Sequence, residues 1–174
     1  MRRFLVIAIF TLGLASMSFA QSNGKKAVAA QKALFFYSFA TQIDWPAEFK
    51  TGNFVIGIYG DHELYTQLVS RLSSSKRGNQ PFKIVEYKSS SEIKNCHILY
   101  IDESKSDILS SKKKQLRANS TLVITDKKGL LDDGSMINFV YPNNRTMFEL
   151  SKANAEKSKL VIGKQISSLA VKPK

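Results

Sequence analysis

Apolar side chains at Ala29, Ala33, Phe36, Ala40 and Ile43 recur at steps of three and four, so residues 25–43 are expected to form an amphipathic helix. Trp45-Pro46 should end it, because the proline ring disfavours the helical region for the residue before it. The period then changes. "NFVIGIYG" is a strand rich in β-branched residues, and Asp61 is placed to cap a helix over "DHELYTQLVSRLSS", with Leu64, Leu68 and Leu72 on one face. "FKIVEY" alternates as a strand should. "CHILYI" and "STLVITD" are continuous apolar runs, the mark of strands covered on both faces. A short helix, "ESKSDILSSKKKQLR", separates those two runs. "MINFVY" and "TMFEL" flank Pro142-Asn143-Asn144 and read as a hairpin. "KANAEKSKL" is a helix, and "LVIGKQISSLA" closes the chain as a strand or short helix. Helices and strands alternate through the middle and an antiparallel ribbon comes late. The expected fold is α/β, a single-domain sandwich with a mostly parallel to mixed central sheet flanked by helices.

The opening "MRRFLVIAIFTLGLASMSFAQS" changes what counts as the domain. Arg2 and Arg3 form a positive start, Phe4 to Leu14 an apolar centre, and Ser18-Phe-Ala20 a small-residue cleavage pattern. Residues 1–20 are therefore expected to be a cleaved signal peptide, too short in its apolar run for a bilayer core of ~30 Å. No cysteine lies near the cleavage point, so a lipid anchor is not expected, and the product is an exported, soluble chain starting near Gln21. The roughly 150 residues from there can bury about two-thirds of their unfolded surface and fold without a disulfide. Cys96, the one cysteine, cannot form one within the chain and is expected to be a buried small hydrophobe.

Charge adds less. Lys plus Arg number 26 against 14 Asp plus Glu, a formal +12 that falls to +10 when the two leader arginines are removed. The lysines are dispersed, with small clusters at 112–114 and 127–128, and no stacking aromatics interrupt them. Export and that dispersion argue against nucleic acid and for a solvated basic surface facing an anionic envelope or an acidic partner.

Three strands end alike, at Asp61, Asp102 and Asp126. In an open parallel sheet, ligands bind outside the carboxyl ends of the strands. With Thr125 and Ser104 nearby, this edge is a candidate small-ligand or cation site; the alternative is that each aspartate caps a helix or turn. Metal binding through nitrogen or sulfur is not expected, since His62 and His97 are the only histidines. There is no G-x-S-x-G elbow, phosphate-loop lysine or dinucleotide fingerprint, so no catalytic residue and no cofactor is assigned. Asp132-Asp133 read as a turn, and the sequons at Asn119 and Asn144 are short enough to arise by chance. The first helix carries more aromatic residues than one buried stripe needs. Phe36 belongs to the core, whereas Phe35, Tyr37 and Trp45 serve either a partner surface or a core that wraps the helix on two sides.

Lys32-Ala-Leu-Phe-Phe-Tyr-Ser-Phe39, followed by Ile43-Asp-Trp-Pro46, resembles the opening motif of the YfiR family of exported bacterial regulators. The likeness continues in order through Ile56–Asp61, Cys96–Ile101, Thr125-Asp126, Gly134–Phe139, Arg145 to Glu149-Leu150, Leu160–Ile162 and Ile166–Ala170. It implies an α/β sandwich without catalytic activity, often a homodimer, in the periplasm. The implied partner is the sensory region of an inner-membrane signalling protein, a diguanylate cyclase or a sensor kinase. An outer-membrane lipoprotein that withdraws the regulator is implied as well, with cyclic di-GMP and biofilm formation as the output. With such a partner, the surplus aromatics Phe35, Tyr37 and Trp45 are expected to form an apolar anchor for it or for a second subunit. Arg145 and Glu149 are expected to pair, either orienting the late ribbon or as a surface pair contributing only about 0–1 kcal/mol. The chain departs from the pattern in carrying Cys96 alone, where several members have paired cysteines, and Ser151 where an asparagine is usual.

Overall fold

The computed structural model describes residues 24–172, so the leader expected over 1–20 lies outside the described residues. A helix α1 over 24–42 leads into β1 (Ile43–Asp44) and then β2 (Phe54–Tyr59), α2 (His62–Leu72), β3 (Lys76–Arg77) and β4 (Gln80–Tyr87). β5 (Ile98–Ile101), α3 (Ile108–Ala118), β6 (Leu122–Thr125), α4 (Leu130–Asp133), β7 (Ile137–Val140) and β8 (Met147–Leu150) follow. The chain closes with α5 (Lys152–Lys157), β9 (Val161–Ile162) and α6 (Lys164–Leu169). The mixed α/β sandwich expected from the hydrophobic pattern is the observed fold. Asp132-Asp133 close the short helix α4 rather than a turn.

Seven strands form one sheet in the order β3-β4-β2-β5-β6-β7-β8. The five from β4 to β7 are parallel, while β3 and β8 run antiparallel at the edges. The chain leaves β2 for β4 on one side and returns to β5 on the other, which puts the reversal of winding between β2 and β5. A two-residue ribbon, β1 with β9, ties the end of α1 to the C-terminal segment.

Alternate side chains of the buried strands enter two cores. Ile56, Ile58, Ile98, Tyr100, Leu122 and Ile124 face α1 and α2, with Phe36, Phe39, Leu64 and Leu68. Leu99, Ile101 and Val123 face α3, with Leu109, Leu116 and the buried Cys96. Burial pushes the Cys96 thiol up to about 12, with the backbone of Gly57 opposing.

Trp45 belongs to the first core. It is 2% exposed, with its ring edge-on to Phe54 at 5.0 Å and the Arg77 guanidinium 5.2 Å from its centroid. Arg77 also donates to the carbonyls of Ala40 (2.6 Å) and Ile43 (3.2 Å), satisfying acceptors at the end of α1. Phe35 is half-buried, stacked on Phe39 at 5.9 Å and edge-on to Phe148 at 5.4 Å. The helix is thus wrapped on two sides, and the expected three-residue anchor loses its tryptophan to the core. Tyr37 stays 48% exposed, one turn from Leu34 at 61%. The expected Arg145–Glu149 pair does not form either. Asn138 Nδ2 donates to Glu149 at 3.3 Å, and Arg145 makes no ion pair among the described residues.

Candidate functional site

β2, β5 and β6 end on aspartates at one edge of the sheet, and α1 crosses above that edge. Lys32 sits on the buried stripe of α1, three residues after Ala29 and four before Phe36, and its side chain is 5% exposed. A lysine buried to that degree needs partners. The strand ends supply them. Nζ donates to Asp126 Oδ2 at 2.8 Å, to Tyr100 Oη at 2.5 Å and to Asp61 Oδ2 at 3.3 Å. Tyr100 in turn donates to Asp126 Oδ2 at 2.6 Å. Burial alone would lower the Lys32 pKa, but the Asp126 carboxylate, with Tyr141 and Asp61, outweighs it and holds the ammonium above the ordinary lysine range. The same burial and the Asp126 charge push the Tyr100 phenol well above its usual value. Tyr141, at the end of β7, rises to about 12 by burial and Asp126, with Lys32 opposing.

The cluster therefore sets one ammonium and two neutral phenols against Asp61 and Asp126. A lysine held in its protonated form is neither a general base nor a nucleophile. What the arrangement can do is bind. Asp126 Oδ1 is buried and has no hydrogen-bond partner among the described residues, an acceptor left over after Oδ2 takes two donors. Asp126 also lines an open cavity of about 510 Å³ whose walls include Phe139, Val140, Tyr141 and Glu149.

Of the sequence-predicted edge residues, Asp61 and Asp126 meet at Lys32, and Asp61 also caps α2 through Oδ1 to Leu64 N at 2.9 Å. Asp102 does not join them. Its Oδ1 accepts from Ser104 N (3.0 Å) and Ser104 Oγ (2.5 Å), so it caps the short turn after β5. Thr125 is fully buried, 2.9 Å from both Ser135 Oγ and Asn138 Oδ1, in a polar chain that reaches Glu149 through Asn138. Ser151 caps α5 by accepting from Asn154 N at 3.3 Å, a role an asparagine fills equally well. Sequence reasoning missed Lys32, Tyr100 and Tyr141. The available signal was a lysine standing on an otherwise apolar helical stripe.

The two histidines have separate tasks. His62 meets Glu86 at 3.1 Å on the surface. His97 accepts from Val55 N through Nδ1 at 3.0 Å, which leaves Nε2–H to donate to the Phe49 carbonyl at 2.8 Å. Accepting at Nδ1 requires the neutral ring, and burial holds its pKa below the usual value, with Arg77 adding to the effect.

A family model described as YfiR/HmsC-like matches residues 29–171, nearly all of the described fold. Comparison with curated proteins finds no match.

Proposed function

Because the chain belongs to the YfiR/HmsC-like family, we propose that it is an exported periplasmic protein that regulates an inner-membrane diguanylate cyclase by docking on its sensory region. The match across residues 29–171 carries this reading. Regulation is by binding, without a reaction of its own. To act, the protein must bind one state of its partner more tightly than the other, since equal affinity shifts no population. A sensor kinase as partner, a withdrawing outer-membrane lipoprotein and a homodimer are finer versions of the same reading.

The exposed flank of α1, Leu34 with Tyr37, supports a docking role, and half-buried Phe35 lies beside it. Trp45 acts there only by holding the end of the helix in place. The test is capture of detergent-solubilised envelope proteins on the immobilised chain from Gln21, with Leu34→Ala/Tyr37→Ala as the comparison. A membrane cyclase retained by the wild type and lost by the variant is the expected result. Failure to retain any membrane signalling protein from envelope that contains the exported chain would overturn it.

A second reading, a small ligand held at the carboxyl edge, is favoured by one observation. The unpartnered Asp126 Oδ1 lies on a residue lining the cavity beside Tyr141 and Glu149. A ligand there would raise the thermal midpoint of the wild type and leave that of Asp126→Asn unchanged.

A further inference from the structure

The opposite edge of the sheet carries the reverse charge. α3 ends at the start of β6, and α5 begins where β8, antiparallel to β7, reaches the start of β7. Between them lies an open groove of about 690 Å³ lined by Lys113, Lys114, Arg117, Lys157 and Lys159, with Ser110 and Ala118 and no carboxylate. None of the five cations forms an ion pair among the described residues. Acidic groups flank the groove without entering it. Glu103, Asp107 and Asp133 line a neighbouring depression that shares Ser110, and Glu156 is exposed on α5.

Two helix C-termini converge here, and their dipoles account for a cation on each. They do not account for Lys159, which lies past the end of α5. Its N–H bonds Glu156 O at 2.9 Å and the next N–H, of Leu160, reaches back to Ala155 O at 3.0 Å. That is the helix-ending motif in which glycine is the rule. Here a lysine holds the position at φ +58°. A β-carbon in the left-handed region is unfavourable, yet α3 ends in the same way on Ser120 at φ +49°, so both helices beside the groove close on a residue that carries a side chain. Lys113 is positioned by a second local device: its stem passes Gly134, where an added Cβ would lie 2.6 Å from Cε.

We propose that this groove is a docking surface for an anionic phospholipid membrane, its five cations meeting the headgroup phosphates. Charge complementarity is the argument. Cations from two elements 40 residues apart line one open groove, which suits a plane of phosphates. No aromatic or large aliphatic side chain lines it, whereas the core of a protein interface is built around such anchors. Among the described residues no helix is long and apolar enough to cross a membrane. This surface is independent of the regulatory reading and of the carboxyl-edge cluster.

The test is sedimentation of the chain from Gln21, which contains the whole described fold, with vesicles of phosphatidylglycerol in phosphatidylethanolamine and with vesicles of phosphatidylcholine alone. Binding to the first and not the second is expected, weakening with salt. Each cation near an anionic surface contributes about fivefold, so Lys113→Gln/Arg117→Gln/Lys157→Gln should bind about 100-fold more weakly. Arg71→Gln/Lys76→Gln/Lys83→Gln, of equal net charge on α2 and the β3–β4 side of the sheet, should lose less than about threefold on the same scale. Lys159→Gly should bind about fivefold more weakly while raising the thermal midpoint, an outcome a purely structural lysine would not produce. Equal losses in the two triple variants would assign the binding to overall charge and overturn the proposal. So would absence of binding to phosphatidylglycerol, or displacement by inorganic phosphate at matched ionic strength, which would mark a free-phosphate site. Binding of polyglutamate without vesicle binding would instead point to an acidic protein.

Discussion

Lys32→Met tests whether the buried cluster holds α1 to the strand ends. Methionine preserves the stem and the apolar contacts and removes only the ammonium. At an effective dielectric of about 20, unit charges 2.8 Å apart attract by about 6 kcal/mol. The cost of burying a 5%-exposed ammonium cancels part of that. Removing one member of a buried pair leaves the other charge uncompensated, and such changes cost about 3–5 kcal/mol. Here the survivor is Asp126, 10% exposed at its side chain and already lacking a partner for Oδ1. For a chain of this length the loss lowers the thermal midpoint by about 6–20 °C. Urea unfolding of Lys32→Met, Asp126→Asn and the double variant measures it. The double variant should be more stable than the sum of the single losses implies, with a coupling of about 1–3 kcal/mol. A Lys32→Met loss below about 1 kcal/mol, the range of solvent-exposed pairs, would refute the reasoning, as would strict additivity.

The remaining predictions concern the core and its histidine. Trp45→Ala should cost about 3–5 kcal/mol in urea unfolding. Tyr37→Ala should stay within about 0.5 kcal/mol, and equal losses would return Trp45 to the surface. Gly57→Ala would bring a Cβ to 2.5 Å from Tyr87 Cε2 and 3.3 Å from Leu99 Cδ1, so it should destabilise by about 1–3 kcal/mol; an unchanged urea midpoint would contradict that packing. Because burial depresses the His97 pKa in the folded state, the unfolded chain takes up that proton first as pH falls below about 6.5. More protons on the unfolded state means stability declines through that window as pH drops. His97→Gln should flatten the decline in urea midpoints between about pH 7 and about pH 5, and an unchanged slope would assign it to other groups.

A regulator that docks through α1 and rests on the membrane through its basic groove would use two separate faces. The exposed α1 flank and the α3–α5 groove share no residue. Loss of membrane binding in the lysine variants and loss of partner capture in the Leu34/Tyr37 variant can therefore be measured separately.

What the sequence alone determined is what neighbours along the chain decide. Helical spacing from Ala29, the Asp61 cap and the apolar runs of β2, β5 and β6 are local signals, and those elements formed where they placed them, except that α1 stops at residue 42 and Ile43, expected in the helix, pairs with Ile162 in β1. The hairpin around 142–144 and the aspartates at three strand ends were legible for the same reason. Side-chain partners were not. Lys32 meets Asp61, Tyr100 and Asp126 across 29, 68 and 94 residues, separations that only strand order and the crossing of α1 bring together. Asp102 carried the same local signal as Asp126 yet turned to Ser104, because nothing in its own strand records which face a neighbouring helix will cover. Trp45 read as surplus beside one helix, but Phe54 and Arg77 bury it from other elements. The groove of lysines likewise joins residues of α3 to the turn beyond α5, and its charge is a property of the assembled surface rather than of either segment.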